Sequence, residues 1–330
     1  MKSIKTHREN SSASKAMCPL CESGNSVLQC NVGKYQIFSC RDCRGEFSWP
    51  MKSMDYSQVN ETPEITNFEA VKEKSLRRNF NYAALITFLS QIPKGNILDI
   101  GSGTGIFVSH VKKLGFDCYC TDVSENIVKT LGDTTAFCKF SKFNGEDFHF
   151  PNEWPKQFDV ISMVDVLEHV EKPLKIGRNI YESLKDGGYF IGSVPNRDRY
   201  YYALGGLIDD FVPKGCGGDN PPYHLTFWRE KTVIEFLRKI GFENHYTHKG
   251  GLLWRKNIYV KEHYSPFLSK IVKYLYENSS GKSIMTRLLE KYGSHLIFIS
   301  KKSNEGINIK DLESKIYKKD IPFFVNGDIE

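Results

Sequence analysis

The chain has 330 residues, 40% hydrophobic and 25% charged, which excludes a disordered polymer and allows one large domain with small attachments. Its formal net charge of +6 permits an anionic partner without demanding one, because Lys and Arg are spread along the chain rather than massed. No apolar run approaches the roughly 20 residues that cross a bilayer, and no apolar stretch follows Lys2, Lys5 and Arg8, so no membrane partner and a cytoplasmic location are expected.

Residues 1–16 are polar and aperiodic and read as a flexible tail. Residues 17–50 form a separate module. Cys18-Pro19-Leu20-Cys21 and Cys40-Arg41-Asp42-Cys43 are two CxxC pairs separated by eighteen residues. Each pair sets two thiolates on one tight turn, and two such turns complete a tetrahedral site. Val27–Cys30 and Tyr35–Phe38 read as a hairpin turned at Asn31-Val32-Gly33. So small a module buries little core, and a structural Zn²⁺ held by Cys18, Cys21, Cys40 and Cys43 supplies the missing folding free energy. A closed four-cysteine site has no open coordination position, so no chemistry is expected there. Cys30, Cys118, Cys120, Cys138 and Cys216 lack ligand spacing and read as packed thiols.

Residues 51–66 are a linker, and 67–302 carry the larger domain. Apolar residues at helical spacing predict a helix over 67–91, ended by Pro93-Lys94-Gly95. Asn96 to Ile100 is an apolar strand running into Gly101-Ser102-Gly103-Thr104-Gly105, and Ile106–Leu114 is an amphipathic helix closed by Gly115. Strands are predicted at 116–121, 135–140, 158–164 and 189–194, with helices from Ser124 and over 173–184, and a turn at Asp186-Gly187-Gly188. This alternation argues for a doubly wound, mostly parallel α/β sheet. Residues 195–224, rich in Gly, Pro and aromatics, form an insert on the substrate side. Beyond it lie a helix over 226–240, strands at 242–247 and 295–300, helices at 266–277 and 282–291, and a C-terminal tail, 303–330, with weak signals.

The glycines at 101, 103 and 105 bare the backbone at a helix N-terminus, where a ligand can approach closely. Their G-x-G-x-G spacing differs from the dinucleotide fingerprint, whose third glycine would occupy the place of Ile106. Asp122 stands 21 residues after Gly101 at the end of the next strand, where a carboxylate can accept hydrogen bonds from both ribose hydroxyls of a nucleoside.

With Leu98–Gly105 and Asp122 go Phe158-Asp159-Val160-Ile161 leading to Asp165-Val166-Leu167-Glu168-His169-Val170, then Leu184–Gly188, Ser193–Asn196 and Tyr223–Trp228. In this order they resemble the class I S-adenosylmethionine (SAM)-dependent methyltransferases over residues 70–302. The resemblance implies a seven-stranded sheet with its last strand antiparallel. It implies that Asp99, Gly101, Ser102, Gly103 and Gly105 hold the methionine part of SAM and Asp122 the ribose. Val123 and the loop near Asn144 then face the adenine, although family members usually carry an acid at the Asn144 position.

A sulfonium donor already carries a good leaving group, so the enzyme mainly aligns acceptor, methyl and sulfur, and a base helps only an acceptor that must lose a proton. Asp165, His169 and His224 are the candidate catalytic residues, and Asp165 is also a candidate for touching cofactor. Asp165, Glu168, His169 and His224 together are similar to the metal site of small-RNA 2′-O-methyltransferases, and the first three resemble the ubiquinone-pathway O-methyltransferases. Mg²⁺ or Mn²⁺ is therefore a secondary expectation. Arg197, Arg199 and Tyr200–Tyr202 offer stacking and anion contacts to an acceptor. A ribbon fused to such a domain resembles bacterial sugar- and polyketide-modifying methyltransferases, so a small-molecule or glycan acceptor is expected. The alternatives are RNA 2′-O-methylation and a non-catalytic zinc- and nucleotide-binding regulator. Oligomeric state leaves no mark in the sequence.

Overall fold

The computed structural model describes residues 16–56, 80–103, 105–124, 139–142, 150–198, 220–250 and 295–303. The main sheet has seven strands: β4 (Asn96–Ile100), β5 (Asp117–Asp122), β6 (Lys139–Lys142), β7 (Phe158–Val164), β8 (Leu184–Pro195), β10 (Asn244–Gly250) and β11 (His295–Lys301). Their spatial order is β10-β11-β8-β7-β4-β5-β6. β4 pairs in parallel with β5 and β7, and β11 runs antiparallel between β8 and β10. Strand order reverses between β4 and β7, so the crevice over their carboxyl ends is where an open α/β sheet takes its ligands.

Apolar residues on successive positions face opposite ways, as the strand period of two requires. Ile97, Val160, Ile191 and Ile297 pack with α1 (Phe80–Ser90) and α2 (Ile106–Lys113) on one side. Leu98, Ile161, Phe190 and Phe298 pack on the other with α3 (Pro173–Ser183) and α4 (Glu230–Ile240). α1 buries Ala83 to Ile86, Phe88 and Leu89, so it is a core helix rather than a surface one.

The N-terminal ribbon is a second sheet of β1 (Ser26–Val32), β2 (Tyr35–Cys40), β3 (Glu46–Trp49) and the short β9 (Thr226–Phe227), in that order. Two features depart from expectation. β3 is a third ribbon strand beyond the hairpin read from the sequence, and residues 226–227 are strand rather than the first turn of a helix. One pairing accounts for both: Glu46 and Phe47 face Phe227 and Thr226 in antiparallel register, and Ser48 N donates to Leu225 O at 2.8 Å. The ribbon and the α3–α4 side of the sheet share one apolar cluster, in which Leu20, Phe38 and Phe47 join Trp228, Val233 and Phe236.

Two further strands shift. β8 begins at Leu184, and the expected turn is an irregularity inside it: Gly187 takes a φ of +80°, its N–H donates to Lys302 O, and Gly188 O accepts from Lys302 N. β10 begins at Asn244 because Gly241 and Phe242 still belong to the end of α4, their N–H groups returning to Arg238 O and Leu237 O. The expected helix from Ser124, the helices at 266–277 and 282–291, Asn144, most of the 195–224 insert and both tails lie outside the described residues. Among the described residues, no helix is long and apolar enough to cross a membrane.

Candidate active site

β4 and its turn build the cofactor side. Asp99 is buried and lies in register with Ser162 of β7, whose hydroxyl donates to Asp99 Oδ1 at 2.6 Å. Burial pushes its carboxyl up to about 7, the Ser162 bond opposing and the charge of Asp122 reinforcing the shift. Gly101 N and Ser102 N both donate to Thr121 O, which ties the turn to the end of β5. Gly103 N donates to Asp122 Oδ2 and Ser124 N to Asp122 Oδ1, both at 2.9 Å. Gly101 and Gly103 have φ of +71° and +51°, a region that side chains rarely adopt. A Cβ on Gly101 would strike Val166 at 2.6 Å, whereas one on Gly103 would meet nothing within 4 Å. The turn is thus packed behind and open in front, a shape that fits a nucleoside-type ligand against Asp122. Val123 is half-buried beside it, and Tyr82 of α1 stands in the fields of both Asp99 and Asp165.

Asp165, just past β7, is a non-glycine residue at φ +56°. Its Oδ1 accepts from Ser193 Oγ at 2.6 Å and lies 3.9 Å from His295 Nε2. The antiparallel β11 brings His295 level with Pro195.

A single 3-10 turn, Leu167–His169, carries the next group. Leu225 N donates to Glu168 O at 2.8 Å, which pins His224 against this turn. One ligand atom each from Glu168, His169 and His224 lies within 4.8 Å of the other two. Glu168 is 1% exposed, and its Oε2 has no hydrogen-bond partner among the described residues. Burial and the charge of Asp165 raise its carboxyl well above the usual range. Burial lowers the His169 imidazole, opposed by its bond to Tyr223 O. The rings of His169 and His224 are 4.7 Å apart, and His169 Nε2 is 3.8 Å from Glu168 Oε1. Of the four residues expected to act together, three converge; Asp165 turns to Ser193 instead.

Residues 74–247 match the family model described as a methyltransferase domain. The chain belongs to the class I SAM-dependent methyltransferases. The methyltransferase is 25% identical over 174 residues to a ubiquinone biosynthesis O-methyltransferase of Rickettsia canadensis, covering 51% of this chain and 71% of that protein. It is 32% identical over 154 residues to an uncharacterized protein of Methanocaldococcus jannaschii, covering 46% of this chain and 67% of that one. A solved SAM-dependent methyltransferase from Archaeoglobus fulgidus superposes with a TM-score of 0.45 at 19% identity, covering 72% of this chain and 95% of that chain.

The methyltransferase's four ribbon cysteines are reduced and converge, every Sγ within 4.8 Å of the others. Cys18 to Cys43 is 3.7 Å and Cys21 to Cys40 is 3.6 Å. A tetrahedral Zn²⁺ with bonds of about 2.3 Å sets its sulfurs about 3.8 Å apart, so the site fits that ion. Hydrogen bonding to Cys21 together with burial raises the Cys18 thiol, and hydrogen bonding to Cys18 and Cys21 raises Cys43; sulfurs this close ionise together only around a cation.

One expected acceptor contact is corrected. Arg197 faces the ribbon, its Nε and Nη2 meeting Glu46 Oε2 at 2.9 and 2.7 Å, with its guanidinium over Phe227. Arg229 Nη2 reaches the other oxygen of the same carboxylate at 2.8 Å. Arg199 and Tyr200–Tyr202 lie outside the described residues. Several site residues were not legible. Ser162 gave a signal, a hydroxyl inside an apolar strand that must find a partner. Ser193 gave a similar one. His295 and Tyr56 gave none, because only the fold brings them near.

Proposed function

We propose that this methyltransferase moves the methyl group of SAM onto a hydroxyl of a small-molecule or glycan-type acceptor, and that its ribbon holds one structural Zn²⁺. The observation that carries the reading is the Glu168–His169–His224 cluster, its two outer members buried and His169 half-buried, beside Val166, the residue packed behind the glycine turn. Asp99 and residues 101–105 hold the methionine end and Asp122 the ribose, with Val123 and Asn144 on the adenine side. Bound SAM supplies an electrophilic methyl whose sulfur leaves as a neutral thioether. His169 Nε2 would take the proton of the acceptor hydroxyl, with Glu168 beside the ring. His224 lines the acceptor side, and Asp165, held by Ser193, fixes the backbone that presents residues 166–169.

A second reading has one observation in its favour, a Glu168 Oε2 that meets no hydrogen-bond partner among the described residues. A buried carboxylate without a donor is costly unless a cation meets it, and Glu168, His169 and His224 together offer Mg²⁺ or Mn²⁺ one carboxylate and two imidazoles. The test uses SAM labelled in its methyl group, offered with phenolic, catecholic and sugar hydroxyl acceptors and with RNA. Label is expected on a small-molecule hydroxyl, and H169Q should slow the transfer about 10²- to 10⁴-fold. Label entering RNA alone, or full activity in H169Q, would overturn the reading. Manganese titration followed by electron paramagnetic resonance separates the two roles of the cluster: binding lost in H224Q assigns it a cation, and no binding leaves His169 as base.

A further inference from the structure

The segment that leaves the ribbon runs against the acceptor cluster. It is held along its length: Tyr35 Oη donates to Lys52 O at 2.9 Å, Ser53 N and Oγ both donate to Glu171 Oε1 at 2.9 Å, and Met54 N reaches Pro222 O at 3.3 Å. Tyr56 sets its ring edge-on to His169, with centroids 5.1 Å apart. The Tyr56 hydroxyl donates to Tyr223 O and lies 2.7 Å from His169 Nδ1, which is itself 2.7 Å from Tyr223 O.

These contacts decide where the imidazole hydrogen sits. A carbonyl has no hydrogen to give, and the only hydroxyl hydrogen of Tyr56 is spent on that carbonyl. The hydrogen between Nδ1 and the two oxygens therefore belongs to His169, an assignment made from the hydrogen-bond network. In the neutral ring, Nε2 is then a bare lone pair facing Glu168 and His224. The competing arrangement is near at hand: Glu168 Oε1, 3.8 Å from Nε2, would draw the hydrogen to that nitrogen and leave nothing to accept a proton.

We propose that Tyr56 is a positioning residue of the active site, supplied by the segment leaving the ribbon, which holds His169 as the Nδ1–H tautomer with Nε2 turned into the cluster. The inference rests on the reading of His169 as a group that faces the acceptor. It gives the ribbon a part in catalysis although its closed cysteine site does no chemistry. Removing the hydroxyl leaves Tyr223 O as a single acceptor for Nδ1 and takes away one of the two oxygens that oppose Glu168.

The experiment labels the full-length protein with ¹⁵N-histidine and reads the ring nitrogens by long-range ¹H–¹⁵N correlation, using H169Q to identify the His169 signals. The wild type should show Nδ1–H. Y56F keeps the ring and should move the tautomer ratio toward Nε2–H by about fivefold, the effect of one lost hydrogen bond. Zinc content, thermal melting of the ribbon strands and SAM affinity should be unchanged in Y56F. An unaltered ratio in Y56F, or Nε2–H in the wild type, overturns the role of Tyr56. Full methyl transfer by H169Q overturns instead the reading on which it rests, so the two failures are told apart.

Discussion

Among the described residues no cation stands beside Asp99, and its hydrogen bond to Ser162 does not offset its burial. In the unfolded chain it ionises near 3.8 and in the folded one near 7. Between those values the folded state binds the extra proton, so ionisation costs stability as pH rises from about 4 to 7 and no more above that. The wild type should lose up to about 1.4 kcal/mol per pH unit relative to D99N across that window. Urea denaturation of both proteins without cofactor, at pH 5, 6, 7 and 8, checks this; a gap that stays constant would falsify it. The acid itself was legible as the end of an apolar strand. Its partner was legible only in outline, because the Asp99–Ser162 pairing depends on the register of two strands 63 residues apart.

Three glycines at alternate positions announce a bared turn, yet their duties differ in ways that spacing alone does not show. At Gly101 a side chain meets both an unfavourable φ and the Val166 side chain. At Gly103 it meets the unfavourable φ alone and projects into open space. G101A should therefore cost about 2–4 kcal/mol, a left-handed backbone plus overpacking, and G103A about 1–2 kcal/mol. Calorimetric titration should nonetheless show SAM affinity falling more than about tenfold in G103A. Equal binding by G103A and wild type would remove the turn's open face from the cofactor site. The strands β4, β5, β7 and β8 and the helices at 106–113 and 173–183 were readable because apolar periodicity and glycine punctuation agree there. The strand at 226–227 was not, since nothing near Thr226 shows that Phe47 waits to pair with it.

The ribbon's relation to the domain emerges only at the scale of the whole molecule. Two exact CxxC pairs make the cysteine cluster legible, but not the surface on which the ribbon rests. Glu46 is the joint: burial opposes its ionisation, and the guanidiniums of Arg197 and Arg229 hold it ionised below the usual carboxylate range. Because Leu20 and Phe47 sit in one cluster with Trp228 and Phe236, removing the proposed zinc should loosen the α3–α4 side as well. Elemental analysis should give one zinc per chain. After chelation, scanning calorimetry should show a single transition at lower temperature rather than a ribbon melting alone. Two separate transitions would make the ribbon an independent body. The antiparallel strand β11 sets a different constraint, on the order of synthesis. Its place is between β8 and β10, and among the described residues it is the strand that pairs with β10, so that pairing waits until residues 295–301 have been made. A ribosome delivers β10 about 45 residues before the strand that fixes it. Until then the β8 backbone from Tyr189 to Pro195 lacks the strand it pairs with, the stage at which a nascent or truncated chain is most exposed to pairing with the wrong partner.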